Sequence, residues 1–319
     1  MKAISPEQTA KLLKEIDNVL VLMHKSPDGD AVGCGYALCM VLRSMGKKAN
    51  PLCGDEIPPL FDLVTSKLEP QEFEPEYIVS VDLATEKLLS GKALEYADRV
   101  DLCIDHHSVN SGYAKQGYVD PHSASCAEIL KRIFDIMGIK PDKDIADALF
   151  MGVSTDTGCF KYSNVTPQTH RIAAELMEWG ADSTGICRRF FDTKSRTKLA
   201  LERLILDSLL YAADGRIAFV CITRSMMEQS GATQGDTDGV AGITKQIEGV
   251  DIGITMREKE NGEFRISVRT NGQISAADIC TQFGGGGHRG AAGCSIFEDM
   301  EKSRDMIISA CEAALERTE

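Results

Sequence analysis

Histidines and aspartates gather at three points of this chain, each directly after an apolar run. His24-Lys25-Ser26-Pro27-Asp28-Gly29-Asp30 follows Val19–Met23, Asp82 follows Tyr77–Val81, and Asp105-His106-His107 closes Val100–Ile104. A fourth candidate, Ser154-Thr155-Asp156-Thr157-Gly158, follows the apolar stretch Ala148–Val153. Carboxylates brought together repel one another and resist burial, so such a cluster nearly demands a cation. Imidazole and carboxylate donors without cysteine suit a hard-to-borderline divalent ion such as Mn²⁺ or Mg²⁺. Plainer readings exist for the pieces. Asp28 and Asp30 around Gly29 suit a turn and a helix cap, Asp82 suits a cap, and Asp156 before Gly158 suits helix termination. The adjacent histidines after Asp105 are the hardest to explain in that way.

The elements around these residues predict how they meet. Apolar runs of about five residues alternate with helix-like segments near 7–18 and 31–45, the pattern of a parallel α/β sheet. In such a sheet the carboxyl ends of the strands converge on one edge, where sites are built. Apolar spacing of i, i+3 and i+4 predicts three helices between Cys126 and Gly180. Residues 193–213 contain no breaker and are expected to form one helix that connects two domains. Beyond it, strand patterns at Arg216–Val220, Asp251–Arg257 and Glu263–Thr270 precede a helix, a flexible glycine loop at 284–287 and a last helix from about Met300.

The composition narrows the class. With 319 residues, 43% of them hydrophobic and 26% charged, the chain is an ordinary globular protein of two domains. It has no apolar run long enough to span a bilayer. Its first eighteen residues are charged and helix-like, unlike a signal peptide, so a cytoplasmic location is expected. The net charge of −13 disfavours long nucleic acid and anionic membranes. Eleven cysteines, an odd number without CxxC spacing and mostly inside apolar runs, read as reduced thiols rather than zinc ligands or disulfides. Five basic residues against one acidic at 188–198 suit a solvated helix start, or a border that attracts short polyanions.

HKSPDGDAVG, VDLA, DHH and STDTG, in that order, resemble the four motifs of the DHH phosphoesterase superfamily, and GGGGHRGAAG at 284–293 resembles the DHHA1 signature. The resemblance spans about residues 15–298, and the length and two-domain build are most similar to the nano-RNase/pAp phosphatase group. It implies an α/β fold with a DHH domain (1–190), a connecting helix (191–214) and a smaller DHHA1 domain (215–319), the active site lying between the domains. It also implies two divalent ions, Mn²⁺ first with Mg²⁺ or Co²⁺ as alternatives. His24, Asp28 and Asp82 would hold one, and Asp30, Asp82, His106 and Asp156 the other. Asp105 would orient the ligands and His107 would face the scissile phosphate. Arg269, Gly285, Gly286, Gly287 and His288 would bind the substrate phosphate.

The activity so implied is hydrolysis of short oligoribonucleotides, together with 3′-phosphoadenosine 5′-phosphate to AMP. Two alternatives stand beside it. One is a phosphodiesterase for a cyclic or linear dinucleotide, cyclic di-AMP or pApA. The other is a nucleotide-binding regulator without turnover, against which the intact metal motifs argue. A nucleophilic role for Cys159 is disfavoured, since metal-activated water needs no covalent intermediate. The expected partner is short RNA or a nucleotide, not a long duplex or a membrane, and homodimer formation is left open.

Overall fold

Apolar runs become strands and the period-3.6 segments become helices in two compact units, Met1–Thr193 and Lys194–Glu319. The computed structural model describes residues 1–237, 239–271 and 273–317. The first unit runs β1 (Lys2–Ala3), α1 (Pro6–Glu15), β2 (Val19–Leu22), α2 (Gly29–Ser44), β3 (Ala49–Leu52), α3 (Asp62–Thr65) and β4 (Tyr77–Val81). It continues with β5 (Leu102–Asp105), β6 (Gln116–Val119), α4 (Cys126–Met137), α5 (Lys143–Asp156), α6 (Pro167–Glu178) and α7 (Ser183–Cys187).

Its six strands are all parallel, in the order β1-β6-β5-β4-β2-β3. Side chains alternate between two apolar layers. Val19, Val21, Val79, Val81, Leu102 and Ile104 face the helical core. Leu20, Leu22, Ile78 and Cys103 face a second layer with Leu83, Leu89 and Ala93. Covering both faces is why these strands read as continuous apolar runs. The chain leaves β2 toward β3 on one side and leaves β4 toward β5 on the other. The carboxyl ends of β2 and β4 therefore flank the switch point of the sheet, the usual place for a ligand crevice.

Three glycines bring the fourth acidic segment to that edge. A β-carbon on Gly33 would stand 2.3 Å from the Ala148 carbonyl oxygen, and one on Gly29 would stand 2.4 Å from Thr155 Oγ1. One on Gly152 would meet Asp30 Oδ1 at 2.6 Å. These contacts run antiparallel, with the start of α2 against the end of α5, so Asp28 and Asp30 lie beside Asp156, the last residue of α5. Asp28 also fills the role its plainer reading gave it. Its Oδ1 accepts the backbone N–H groups of Asp30 and Ala31, both at 3.0 Å, and caps α2.

The second unit runs α8 (Arg196–Asp207), β7 (Leu210–Ala212), β8 (Ile217–Ile222), α9 (Arg224–Ser230), β9 (Ile252–Glu258) and β10 (Phe264–Thr270). It ends with α10 (Ala276–Thr281), β11 (Gly286–His288), β12 (Ala291–Ile296) and α11 (Met300–Glu316). The sheet order is β11-β12-β10-β9-β8-β7, antiparallel except for β8 beside β9.

Two expectations need correction here. The single helix over 193–213 stops at Asp207, because Leu210–Ala212 pairs with β8 as an edge strand. Ser208 fixes the break, accepting the Cys221 N–H at 3.0 Å and donating to the Ile205 carbonyl at 2.7 Å. Sheet pairing thus overrides helical propensity. The glycine run is also only partly a loop, since Gly286 and Gly287 pair with Gly293 and Ala292. No helix among the described residues is long and apolar enough to cross a membrane.

The glycine contacts are testable by unfolding in denaturant. Gly33→Ala should cost about 1–3 kcal/mol, the usual penalty for overpacking a tight interior. Gly235→Ala, whose added carbon meets nothing nearer than 3.9 Å, should stay within about 0.5 kcal/mol of the parent.

Candidate metal centre

Each histidine at the sheet edge has its ring oriented through Nδ1. In His24, Nδ1 donates to the Lys25 carbonyl at 2.8 Å, and Nε2 stands 3.8 Å from Asp28 Oδ1 and 3.7 Å from Asp82 Oδ2. In His106, Nδ1 lies 3.3 Å from the Ser123 carbonyl, and Nε2 lies 3.4 Å from Asp82 Oδ1 and 3.3 Å from Asp156 Oδ2. An imidazole that gives its far N–H to an oxygen and turns the other nitrogen on carboxylates has the usual posture of a metal ligand.

Asp82 stands in the middle. It is 2% exposed and follows β4 with φ at +52°, a left-handed conformation that costs a non-glycine residue about 1–2 kcal/mol. Strain of this kind collects at functional sites. Its Oδ1 is buried without a hydrogen-bond partner among the described residues, a state that costs free energy unless something else satisfies the oxygen.

The six side chains sort into two adjacent groups that could each hold an ion, His24 with Asp28 and Asp82, and Asp30 with His106 and Asp156. Asp82 touches the second group through His106. A third grouping, Asp82 with His106 and His107, fits less well. Its His107 Nδ1 is already bonded to Asp105 Oδ1 at 2.7 Å.

Asp105 is wholly buried and fully engaged. Its Oδ1 also accepts the His106 and His107 backbone N–H groups, and its Oδ2 accepts the Asn110 side-chain amide at 2.6 Å. Burial pushes its pKa up, but His107 and Asn110 outweigh that and hold it below the ordinary carboxylate range. The Asp105 contact in turn raises the His107 imidazole against the pull of burial. His107 thus keeps Nε2 free at the half-exposed rim. Asp30, also wholly buried, is raised by burial and then by Asp82 and Asp156. Its Oδ2 accepts the Cys126 N–H at 2.6 Å and its Oδ1 the Ala127 N–H at 3.0 Å, anchoring the start of α4.

Of the residues expected in the second unit, Arg269, Gly286 and Gly287 line one cavity of about 390 Å³, whereas Gly285 and the exposed His288 are outside its lining. Sequence reasoning missed Arg257 and Arg265, which line the same cavity. Arg265 and Arg269 share one face of β10 by period-two alternation, and Arg257 is the register partner of Arg265. It also missed Asn110, five residues past Asp105, which carries no spacing signal.

Residues 18–153 match the DHH family, N-terminal domain, and residues 215–316 match the DHHA1 domain. The chain belongs to the DHH family, with a DHHA1 domain in its second unit. It is 29% identical over 316 residues to the bifunctional oligoribonuclease and PAP phosphatase NrnA of Thermus thermophilus, covering 97% of this chain and 94% of that one. Identity to the Bacillus subtilis protein of the same description is 24% over 293 residues, 90% and 92% of the two chains. The fold is shared with an exopolyphosphatase-related protein from Bacteroides fragilis, with a TM-score of 0.87, 24% identity and coverage of 98% and 97%.

The charges in the centre predict how it takes up metal. Burial lowers His24, yet Asp28 and Asp82 outweigh it and lift the imidazole to about 11. His106, likewise lowered by burial, is lifted by Asp82, Asp30 and Asp156 to about 10. Without metal both rings are therefore protonated at neutral pH, and a cation must displace those protons. Loading at pH 7 should release at least two protons per chain, since Asp30 and Asp156 are raised as well, Asp156 to about 7, read by calorimetry in buffers of different ionisation enthalpy. Affinity should rise with pH up to the range of those two values. Uptake without proton release would show that neither ring is displaced.

Proposed function

We propose that this chain is a cytoplasmic, metal-dependent phosphoesterase. It hydrolyses short oligoribonucleotides of about two to five nucleotides to mononucleotides, and 3′-phosphoadenosine 5′-phosphate to AMP. The observation that carries the reading is the buried Asp82 carboxylate between two oriented histidines, Oδ2 toward His24 Nε2 and Oδ1, without a hydrogen-bond partner among the described residues, toward His106 Nε2. The names of the long-matching relatives supply the substrate class.

In this reading His24, Asp28 and Asp82 hold one divalent ion, and Asp30, Asp82, His106 and Asp156 hold the other, Mn²⁺ being the first candidate. When bound, such ions activate water near neutral pH and polarise phosphoryl oxygens. The chain supplies the rest. Asp105 fixes His107 through Nδ1, so that Nε2 carries a proton toward the phosphate and stabilises charge building there. Asn110 keeps Asp105 from turning away. Arg269, with backbone N–H groups of the glycine run and His288, binds a second phosphate of the substrate.

A second reading, cleavage of a cyclic dinucleotide, has one observation in its favour. The cyclic-di-AMP phosphodiesterase PdeA of Listeria monocytogenes is 24% identical over 329 residues, though this chain spans only 48% of its length. Incubation with Mn²⁺ and pAp, pApA, cyclic di-AMP or labelled RNA of increasing length separates the two readings. Turnover undiminished by EDTA in metal-free protein would overturn both.

Two variant series test the residue roles. Asp82→Ala should strip both ions from the purified protein, and Asp156→Ala mainly one. Two ions retained per chain in both variants would refute the shared ligand. Arg269→Ala should raise KM for dinucleotides by the equivalent of about 1–3 kcal/mol, while hydrolysis of an aryl phosphodiester stays unchanged. Equal losses on both substrates would assign Arg269 to the fold instead.

A further inference from the structure

Eight of the eleven cysteines are buried, and three are half-exposed, Cys53, Cys159 and Cys187. Cys53 gives its S–H to the His24 carbonyl. The other two face each other, with Cys159 donating to the Cys187 sulfur at 3.6 Å. We infer that Cys159 and Cys187 are a modification site, a dithiol that a small-molecule disulfide oxidises to an intramolecular bond.

The backbone around Cys159 is built for a fixed orientation. Gly158, Cys159 and Phe160 are successive left-handed residues, with φ of +56°, +57° and +62°. Two of them bear side chains, and each such residue costs about 1–2 kcal/mol. The turn is held by the Cys159 N–H on the Ser154 carbonyl at 2.7 Å and the Phe160 N–H on Thr157 Oγ1 at 3.1 Å. The Tyr162 ring lies over Gly158, filling the space a β-carbon would take. A strained turn so tied presents the thiol to Cys187 rather than letting it wander. Cys187 in turn lines an open cavity of about 550 Å³ with Ser183, Thr184, Arg188 and Asp192, where a small disulfide can enter.

The exchange balances without a further reactant. One thiolate of the pair attacks one sulfur of the small disulfide, forming a mixed disulfide and expelling one small thiol. The other thiolate then attacks the protein sulfur of that mixed disulfide and expels the second. Two protein thiols lose two electrons and two protons, and the small disulfide gains both.

The bond has a consequence for the neighbouring centre. A disulfide is about 2.05 Å long, so the sulfurs must approach by about 1.5 Å. Cys159 lies three residues beyond Asp156, and the Asn164 amide ties the far end of the same loop to the Asp156 carbonyl at 3.1 Å. Closing the bond pulls on the segment that carries Asp156, and oxidation weakens divalent-ion binding. This consequence rests on the reading of the metal centre, whereas the disulfide does not.

Glutathione disulfide is the probe, applied to the full-length folded chain, with differential alkylation and peptide mapping as the readout. The expected first product is a Cys159–Cys187 link with two thiols lost per chain. Either single variant, Cys159→Ser or Cys187→Ser, should stop at glutathione held on the remaining cysteine. Both thiols remaining alkylatable, or a first link between other cysteines, would overturn the site. Calorimetry with Mn²⁺ then tests the consequence. Oxidised protein should bind about tenfold more weakly, reversed by dithiothreitol and absent in Cys159→Ser/Cys187→Ser. A formed link with unchanged Mn²⁺ binding overturns the switch and leaves the site. An absence of Mn²⁺ binding before oxidation would count against the metal centre itself.

Discussion

Asp82 brings a carboxylate to a place only 2% exposed, where Oδ1 has no hydrogen-bond partner among the described residues and the His106 Nε2 stands 3.4 Å away. Burying such an oxygen costs free energy that the charge of His106 offsets only in part. Much of the first unit can be understood as the framework that tolerates this cost. The left-handed turn at Asp82 aims the side chain along the sheet edge, and its N–H is tied to the Ile104 carbonyl at 3.0 Å. Asp28, Asp30 and Asp156 add further carboxylates nearby, and protonated His24 and His106 offset them in the absence of a cation. Such an arrangement is poised to exchange protons for metal.

Positioning these groups falls to residues with no chemistry of their own. Gly29, Gly33 and Gly152 allow α2 and α5 to approach until their opposite ends share one edge. Asp30 then serves two purposes, since both its oxygens accept backbone N–H groups at the start of α4. A carboxylate has about four lone-pair directions, so capping leaves capacity for a ligand role. The cost of moving Asp30 is thereby coupled to the packing of α2, α4 and α5.

The sheet edge was legible in the sequence because its central strands are short apolar runs and the His and Asp residues stand at their carboxyl ends. The strands that flank them were not. Ala49-Asn50-Pro51-Leu52 at one edge and Gln116-Gly117-Tyr118-Val119 beside β5 carry too little apolar character to stand out. Neither was the Nδ1 posture of the histidines, which depends on carbonyls of Lys25 and Ser123 that have no signature. The break after Asp207 escaped notice because pairing between distant backbone segments ended a helix whose local sequence favours continuation. Asp28 shows the opposite case, in which the plain reading as a cap and the reading as a candidate ligand describe the same side chain.

Charge at a finer scale than −13 per chain decides what anions the protein admits. The basic run at 188–198 looks in the sequence like the main attraction for a polyanion, yet part of it is committed elsewhere. Arg189 donates to the Pro59 carbonyl at 2.7 Å, and Lys194 pairs with Glu202 at 2.8 Å. Arg257, Arg265 and Arg269 line one cavity of the second sheet together with two glycines, Arg257 also bonding the Thr237 hydroxyl at 2.9 Å. Residues Arg265 and Arg269 are four apart on one strand, about 13 Å along it, so their charges serve an extended anion better than a single phosphate. An acidic exterior repels a long polyanion along its length, and screening limits that repulsion to about 10 Å or less. A short anion at the arginines would escape most of it, so where the positive charge sits matters more to such an anion than its amount.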